Sequence, residues 1–159
     1  MHNSIDAGPF AALARQFAAW CHTPHNGKPT GQITREALEQ LAAVYAAGLQ
    51  LPTVDFHVAP DPPARTADQT SKLTKNLSAL PFQFYWDVLE PLSLAHHQEL
   101  GSGDLQDDFL DICNDLERGL WLFDNGHAMA AIFHWRQMFF HWGQHAVDAM
   151  RVLHMFRHG

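Results

Sequence analysis

Two long stretches of helical periodicity, joined only by "DNGH", do most to limit what this chain can become. The first is "DLQDDFLDICNDLERGLWLFD", residues 104 to 124. Leu105, Phe109, Ile112, Leu116 and Phe123 recur in it at the spacing of one helix face. The second runs from His127 toward the C-terminus without a proline, so nothing in it forbids about eight turns of helix. Asn125-Gly126 is a helix stop. A connection this short folds the two helices against each other as a long antiparallel hairpin.

The rest of the chain is read the same way. In "PFAALARQFAAWCH" a proline occupies the first turn, and Phe10, Leu13, Phe17 and Trp20 share a face. In "ITREALEQLAAVYAAGLQLP" the buried face is Ile33, Ala37, Leu41, Val44 and Tyr45, and Pro52 ends the helix. Residues 52–80 hold Pro52, Pro60, Pro62 and Pro63 and read as one long proline-rich connection. "PFQFYWDVLEPL" is read as the start of a third helix, broken at Pro91. Strand-like alternation is not read anywhere. The expectation is an all-α, single-domain helical bundle over residues 1–159, with about five helices near 9–22, 33–49, 82–100, 103–124 and 127–157.

Charge narrows the partners. The formal net charge is −7, and Lys28, Lys72 and Lys75 are the only lysines. Without a basic stripe, binding to nucleic acid or to an anionic membrane surface is not expected. No run of 18 apolar residues occurs, and "MHNSIDAGPF" lacks the charged and apolar regions of a secretory leader. Cys21 and Cys113 lie within apolar helical patterns and are read as buried free thiols. A cytoplasmic location is the expectation. Runs of aromatic residues leave room for a homodimer or another protein partner.

Drawn on a helical wheel, the last helix places His134, His141, His145 and Asp148 within an arc of roughly 60°. Asp104, Asp108, Asp111 and Asp115 form an equally narrow stripe on the preceding helix. In a hairpin turning at Asn125-Gly126, residues at one height have numbers summing to about 251, each residue rising about 1.5 Å. That arithmetic sets Asp111 level with His141, Asp108 with His145, and Asp115 with His134. A buried imidazole needs partners for its ring nitrogens, and a carboxylate supplies one.

Two readings of this ladder stand side by side. In the first, Asp115, His134, Arg136, Trp135 and Trp142 belong to a structural network inside a non-enzymatic binding or protein-interaction module. In the second, His141 and His145 present two imidazoles four residues apart to a divalent transition metal. Asp111 or Asp108 then supplies a further ligand, and Tyr85, Asp87 and Glu90 are additional candidates. That protein would be a metal-binding domain or a metal-dependent hydrolase. Nothing resembles GxSxG, a phosphate-cradling glycine loop or a CxxC pair, so a nucleophilic enzyme is the less supported class.

"LAAVYAAGLQLP", "YWDVLEPL", "GDLQDDFLDICNDLERGLWLFDNG" and "FHWRQMFFHWGQHAVDAMRVLH" together resemble the bacterial family named domain of unknown function 5063. The resemblance runs from about Trp20 to His154. Its motif residues are Asp107, Asp108, Asp111, Asp115, Trp135, Arg136, Phe139, His141, Trp142, Gly143 and His145; Cys113 stands where the family pattern has tyrosine. The resemblance implies a cytoplasmic bacterial helical domain and carries no activity. A looser similarity, to DinB-like four-helix bundles with an HxxxH metal pair, would draw a third histidine from His57, His96 or His97.

Overall fold

The computed structural model describes residues 6–94 and 97–159. Its elements in order are α1 (Gly8–His22), α2 (Thr30–Gly48), α3 (Ala67–Leu77), β1 (Phe84–Val88), β2 (Leu100–Asp104), α4 (Leu105–Asp124), α5 (Ala128–Gln137) and α6 (Phe139–His158). The protein is mainly helical. α4 is the central helix: it packs on α1, α3, α5 and α6, while α2 packs on α1 and α6. Among the described residues, no helix is long and apolar enough to cross a membrane.

Three expectations are corrected. The first concerns residues 82–100, read above as a third helix. They contain an antiparallel hairpin in which Phe84 pairs with Asp104 and Val88 with Leu100. "FYWDV" does alternate: Tyr85 and Asp87 are half-buried, whereas Phe84, Trp86 and Val88 face outward. Aromatic and β-branched residues suit such a pleated, half-covered surface. Gly103 lies opposite Tyr85, and a Cβ at Gly103 would come within 2.1 Å of the Tyr85 ring. A side chain there would therefore displace the tyrosine.

The second concerns the 52–80 connection, which ends in helix α3. Thr66 accepts from the Gln69 amide at 3.2 Å, and the Gln69 side chain accepts from the Thr66 amide at 2.8 Å. This reciprocal capping box satisfies two donors at the helix start. Leu73 and Leu77 are fully buried, and α3 packs on α1 and α4. The polar residues of "ADQTSKLTKNL" hide an amphipathic helix whose apolar face is only these two leucines.

The third concerns the closing helix, which breaks at Met138, so that the described residues hold six helices rather than about five. The indole Nε1 of Trp142 donates to the Trp135 carbonyl at 2.9 Å. In an unbroken helix that carbonyl would receive the amide of residue 139. A side chain inserted into the backbone ladder is a recognised cause of a kink, and Met138 adopts φ −81°, ψ 0°.

The aromatic residues gather around this break. Trp135 and Trp142 are both fully buried. Phe10 lies 4.8 Å from Trp135 and 6.0 Å from Trp142, centroid to centroid. Trp135 Nε1 donates to the Leu116 carbonyl at 3.1 Å, so its ring lies across α4. Gly119 makes room for it, since a Cβ there would fall 2.0 Å from Trp135 Nε1. Arg136 donates to the Leu51 carbonyl at 2.7 Å and ties the break to the end of α2.

Candidate functional site

Helix α4 starts where strand β2 ends. Asp104 caps it, accepting from the amides of Gln106 at 2.9 Å and Asp107 at 3.2 Å. From there Asp108, Asp111 and Asp115 follow at three- and four-residue steps, which keeps them on one face. Helix α6 runs beside α4 and presents His141 and His145 one turn apart to that face.

The contacts divide the carboxylates into two kinds. His141 Nδ1 lies 2.7 Å from Asp115 Oδ2, and His145 Nδ1 lies 2.7 Å from Asp108 Oδ1. Both of these carboxylates are nearly covered, at 5% and 7% side-chain exposure. An ionised carboxylate only accepts, so each Nδ1 carries a proton and donates it. The tautomer is thereby set, and the Nε2 edge of each neutral ring keeps its lone pair. Asp111 stands on that other side. Its Oδ2 is 3.3 Å from His145 Nε2 and 4.0 Å from His141 Nε2. One ligand atom from each of Asp111, His141 and His145 lies within 4.8 Å of the other two. The two rings meet edge to face, 4.8 Å between centroids and 82° between planes. All three side chains are partly exposed, so the site is open to solvent.

The hairpin supplies a further layer. Tyr85 Oη donates to Asp108 Oδ2 at 2.7 Å, so both oxygens of Asp108 are used. Burial, and then the Asp108 carboxylate, push the Tyr85 phenol well above its ordinary range, and it remains a donor. The hydrogen bond to Asp108 raises the His145 pKa against the opposing effect of burial. Burial first, and then the charge of Asp111, raise the Asp107 pKa. Burial is also the main reason that the Asp148 pKa is raised. Without a bound ion, this is a setting that favours His145 as an imidazolium.

The arithmetic of an unbroken hairpin places some of these partners and misplaces others. Asp108 is against His145, as the constant sum requires. His141 pairs with Asp115 instead of Asp111, one turn further along α4. His134 reaches the backbone carbonyl of Asp115 at 2.9 Å and not its carboxylate. His141 and His145 both follow the break on α6, and each ring lies between two carboxylates about one turn apart, so a single sum cannot describe the pairing.

Of the additional candidates, Asp87 pairs with Arg151 at 2.8 Å and Glu90 is exposed. His57 and His97 are exposed and stand outside the Asp111–His141–His145 group, and His96 lies outside the described residues. No DinB-like third histidine is therefore brought to this site among the described residues. Trp135 and Trp142 are core residues, and Arg136 holds a backbone carbonyl. The role of Tyr85 as a donor to Asp108 was not anticipated. The signals for it in the sequence are the alternation in "FYWDV" and the glycines of "GSGD".

A family model, Domain of unknown function (DUF5063), matches residues 3–159. No curated protein matches the chain. Among solved structures, the crystal structure of protein BF1032 from Bacteroides fragilis is similar at 20% sequence identity with a TM-score of 0.75. The match covers 95% of this chain and 91% of that one. At this identity the likeness is one of fold.

Proposed function

The chain belongs to the DUF5063 family, and we propose that it is a helical domain that binds a divalent transition metal through Asp111, His141 and His145. The observation behind this reading is the division of labour among the ring nitrogens. Both Nδ1 atoms are held by covered carboxylates, while both Nε2 atoms turn toward a third, more open carboxylate.

Histidine ligands of metals characteristically donate their second nitrogen to a carboxylate, which orients the ring and raises its basicity. Asp108 and Asp115 stand where such outer partners belong. Asp108, a candidate ligand by spacing alone, takes this supporting position. Tyr85 holds the far oxygen of Asp108 and so stiffens the arrangement from the hairpin side. Two imidazoles and one carboxylate on the same side of an ion leave its opposite side free for water or a small ligand.

A purely structural ladder accounts less well for His141. With Nδ1 protonated, its Nε2 is an acceptor and so is the Asp111 carboxylate 4.0 Å away, so the two have no proton to share, whereas an ion between them would bind both. If no ion binds, the protein-interaction module with a structural network becomes the better reading.

Elemental analysis of the protein, purified without a histidine tag, is the test. The expected result is one equivalent of metal more in the native protein than in a His141→Ala/His145→Ala double variant that keeps its helical circular dichroism. Equal metal content in the two would overturn the reading.

A further inference from the structure

A second group of potential ligands sits on the opposite side of α4, where α1 ends and α3 begins. Cys113 and Glu117 are one helical turn apart on α4, and His22 is the last residue of α1. One ligand atom from each of the three lies within 4.8 Å of the other two. We infer that Cys113, His22 and Glu117 form a second cation site, suited to a thiophilic divalent ion such as Zn²⁺. This inference goes beyond the Asp111–His141–His145 reading and does not depend on it.

The donors are chemically matched to such an ion. One thiolate, one neutral imidazole and one carboxylate balance a double positive charge. Sulfur also selects for zinc-like ions over magnesium or calcium. Four-coordinate zinc has bonds of about 2.0–2.3 Å, which sets its ligand atoms roughly 3.5 Å apart. Closing the present group onto an ion therefore takes movements of about 1 Å. The side chains of His22 and Glu117, at 43% and 32% exposure, have that freedom. Cys113 is fully buried and forms the fixed floor.

The surroundings support both approach and orientation. His22 and Glu117 line a cavity of about 480 Å³, bounded also by Pro62, Arg65 and Asn114, so an ion meets those two ligands first and Cys113 beneath them. The open side of the cavity leaves a fourth coordination position for water. Arg65 donates to Glu117 Oε2 at 2.7 Å, which leaves Oε1 turned to His22 Nε2 at 2.5 Å. An ion entering here replaces the proton shared by that histidine and glutamate, while Arg65 continues to hold the other oxygen. Cys21, beside His22 at the end of α1, is fully buried as Cys113 is.

The test is titration with Co²⁺ of the phosphine-reduced His141→Ala/His145→Ala double variant, so that the first site makes no contribution. Thiolate coordination gives a near-ultraviolet charge-transfer band that oxygen and nitrogen ligands do not produce. The expected result is a band saturating at one equivalent, abolished by Cys113→Ser. In the same background, His22→Ala and Glu117→Gln should each weaken Co²⁺ binding by at least about tenfold. Both alter partly exposed side chains, so they keep the test available if Cys113→Ser does not fold. Absence of the band in folded protein overturns the inference. So does a band of unchanged affinity in both His22→Ala and Glu117→Gln, which would mean binding by thiols alone.

Discussion

Replacing Asp108 by alanine separates the carboxylates that build the α4–α6 site from the one that faces its opening. The Asp108 side chain is 7% exposed and accepts from His145 Nδ1 and from Tyr85 Oη, each at 2.7 Å. Alanine strands both donors. A buried polar group left without its partner costs about 1–3 kcal/mol. His145 keeps some access to water, at 27% side-chain exposure, which places each loss toward the low end of that range. The sum is about 2–4 kcal/mol. Asp111→Ala should behave differently. Its carboxylate is 38% exposed, 3.3 Å from His145 and 4.0 Å from His141, and Asp107 and Asp108 are like-charged neighbours on the same helix. Weak, screened attraction set against repulsion predicts a change within about 0.5 kcal/mol. Urea denaturation of metal-free protein near neutral pH, compared at a common slope, measures both changes. Tyr85→Phe removes one donor and should cost about 1 kcal/mol. Combined with Asp108→Ala it should cost less than the sum of the two, because the shared contact is lost only once. Equal costs for Asp108→Ala and Asp111→Ala, or a cost below about 1 kcal/mol for Asp108→Ala, would refute the division into supporting and facing carboxylates.

Two further predictions concern the core. Gly119→Ala drives a methyl group into the buried Trp135 indole, 2.0 Å from Nε1, and should destabilise by about 1–3 kcal/mol through overpacking; thermal unfolding followed by circular dichroism measures it, and a native-like melting temperature would show that α5 can shift aside. His25 is 2% exposed, has no hydrogen-bond partner for either ring nitrogen among the described residues, and lies 4.4 Å from the Trp20 ring. Burial lowers its pKa below 6.5, so the unfolded chain takes up a proton that the folded one refuses. Its contribution is thus a loss of stability as pH falls below about 6.5. His25→Phe removes that proton uptake, so its stability relative to the native protein should rise between about pH 7 and pH 5. A difference that does not change with pH over that range would defeat the argument.

The sequence by itself determined the helices whose apolar faces are wide. α1, α2 and α4 lie within a few residues of where three- and four-residue spacing and the Pro and Gly stops put them. Such faces are local patterns and are visible before anything packs. The two facing stripes were also visible, because "DNGH" forces α4 and the segment after it to run side by side. What failed was anything set by a distant partner. "FYWDV" has an alternation that becomes a strand only when β2 pairs with it and Tyr85 finds Asp108. α3 exposes a nearly polar sequence whose two leucines count only against α1 and α4.

The break at Met138 is a feature that only the tertiary structure could set. No proline or glycine marks it; it arises because the Trp142 indole takes a carbonyl that a continuous helix would use. Packing of α6 on α4 sets His141 on Asp115 and His145 on Asp108, with Asp111 between the two Nε2 atoms. The gathering of His22, Cys113 and Glu117 is of the same kind: two of them are a helical turn apart, but the third arrives from a helix ninety-odd positions away. Helical periodicity is a property of neighbours along the chain. Register between helices is a property of how their side chains interlock, and that is settled only when the core is assembled.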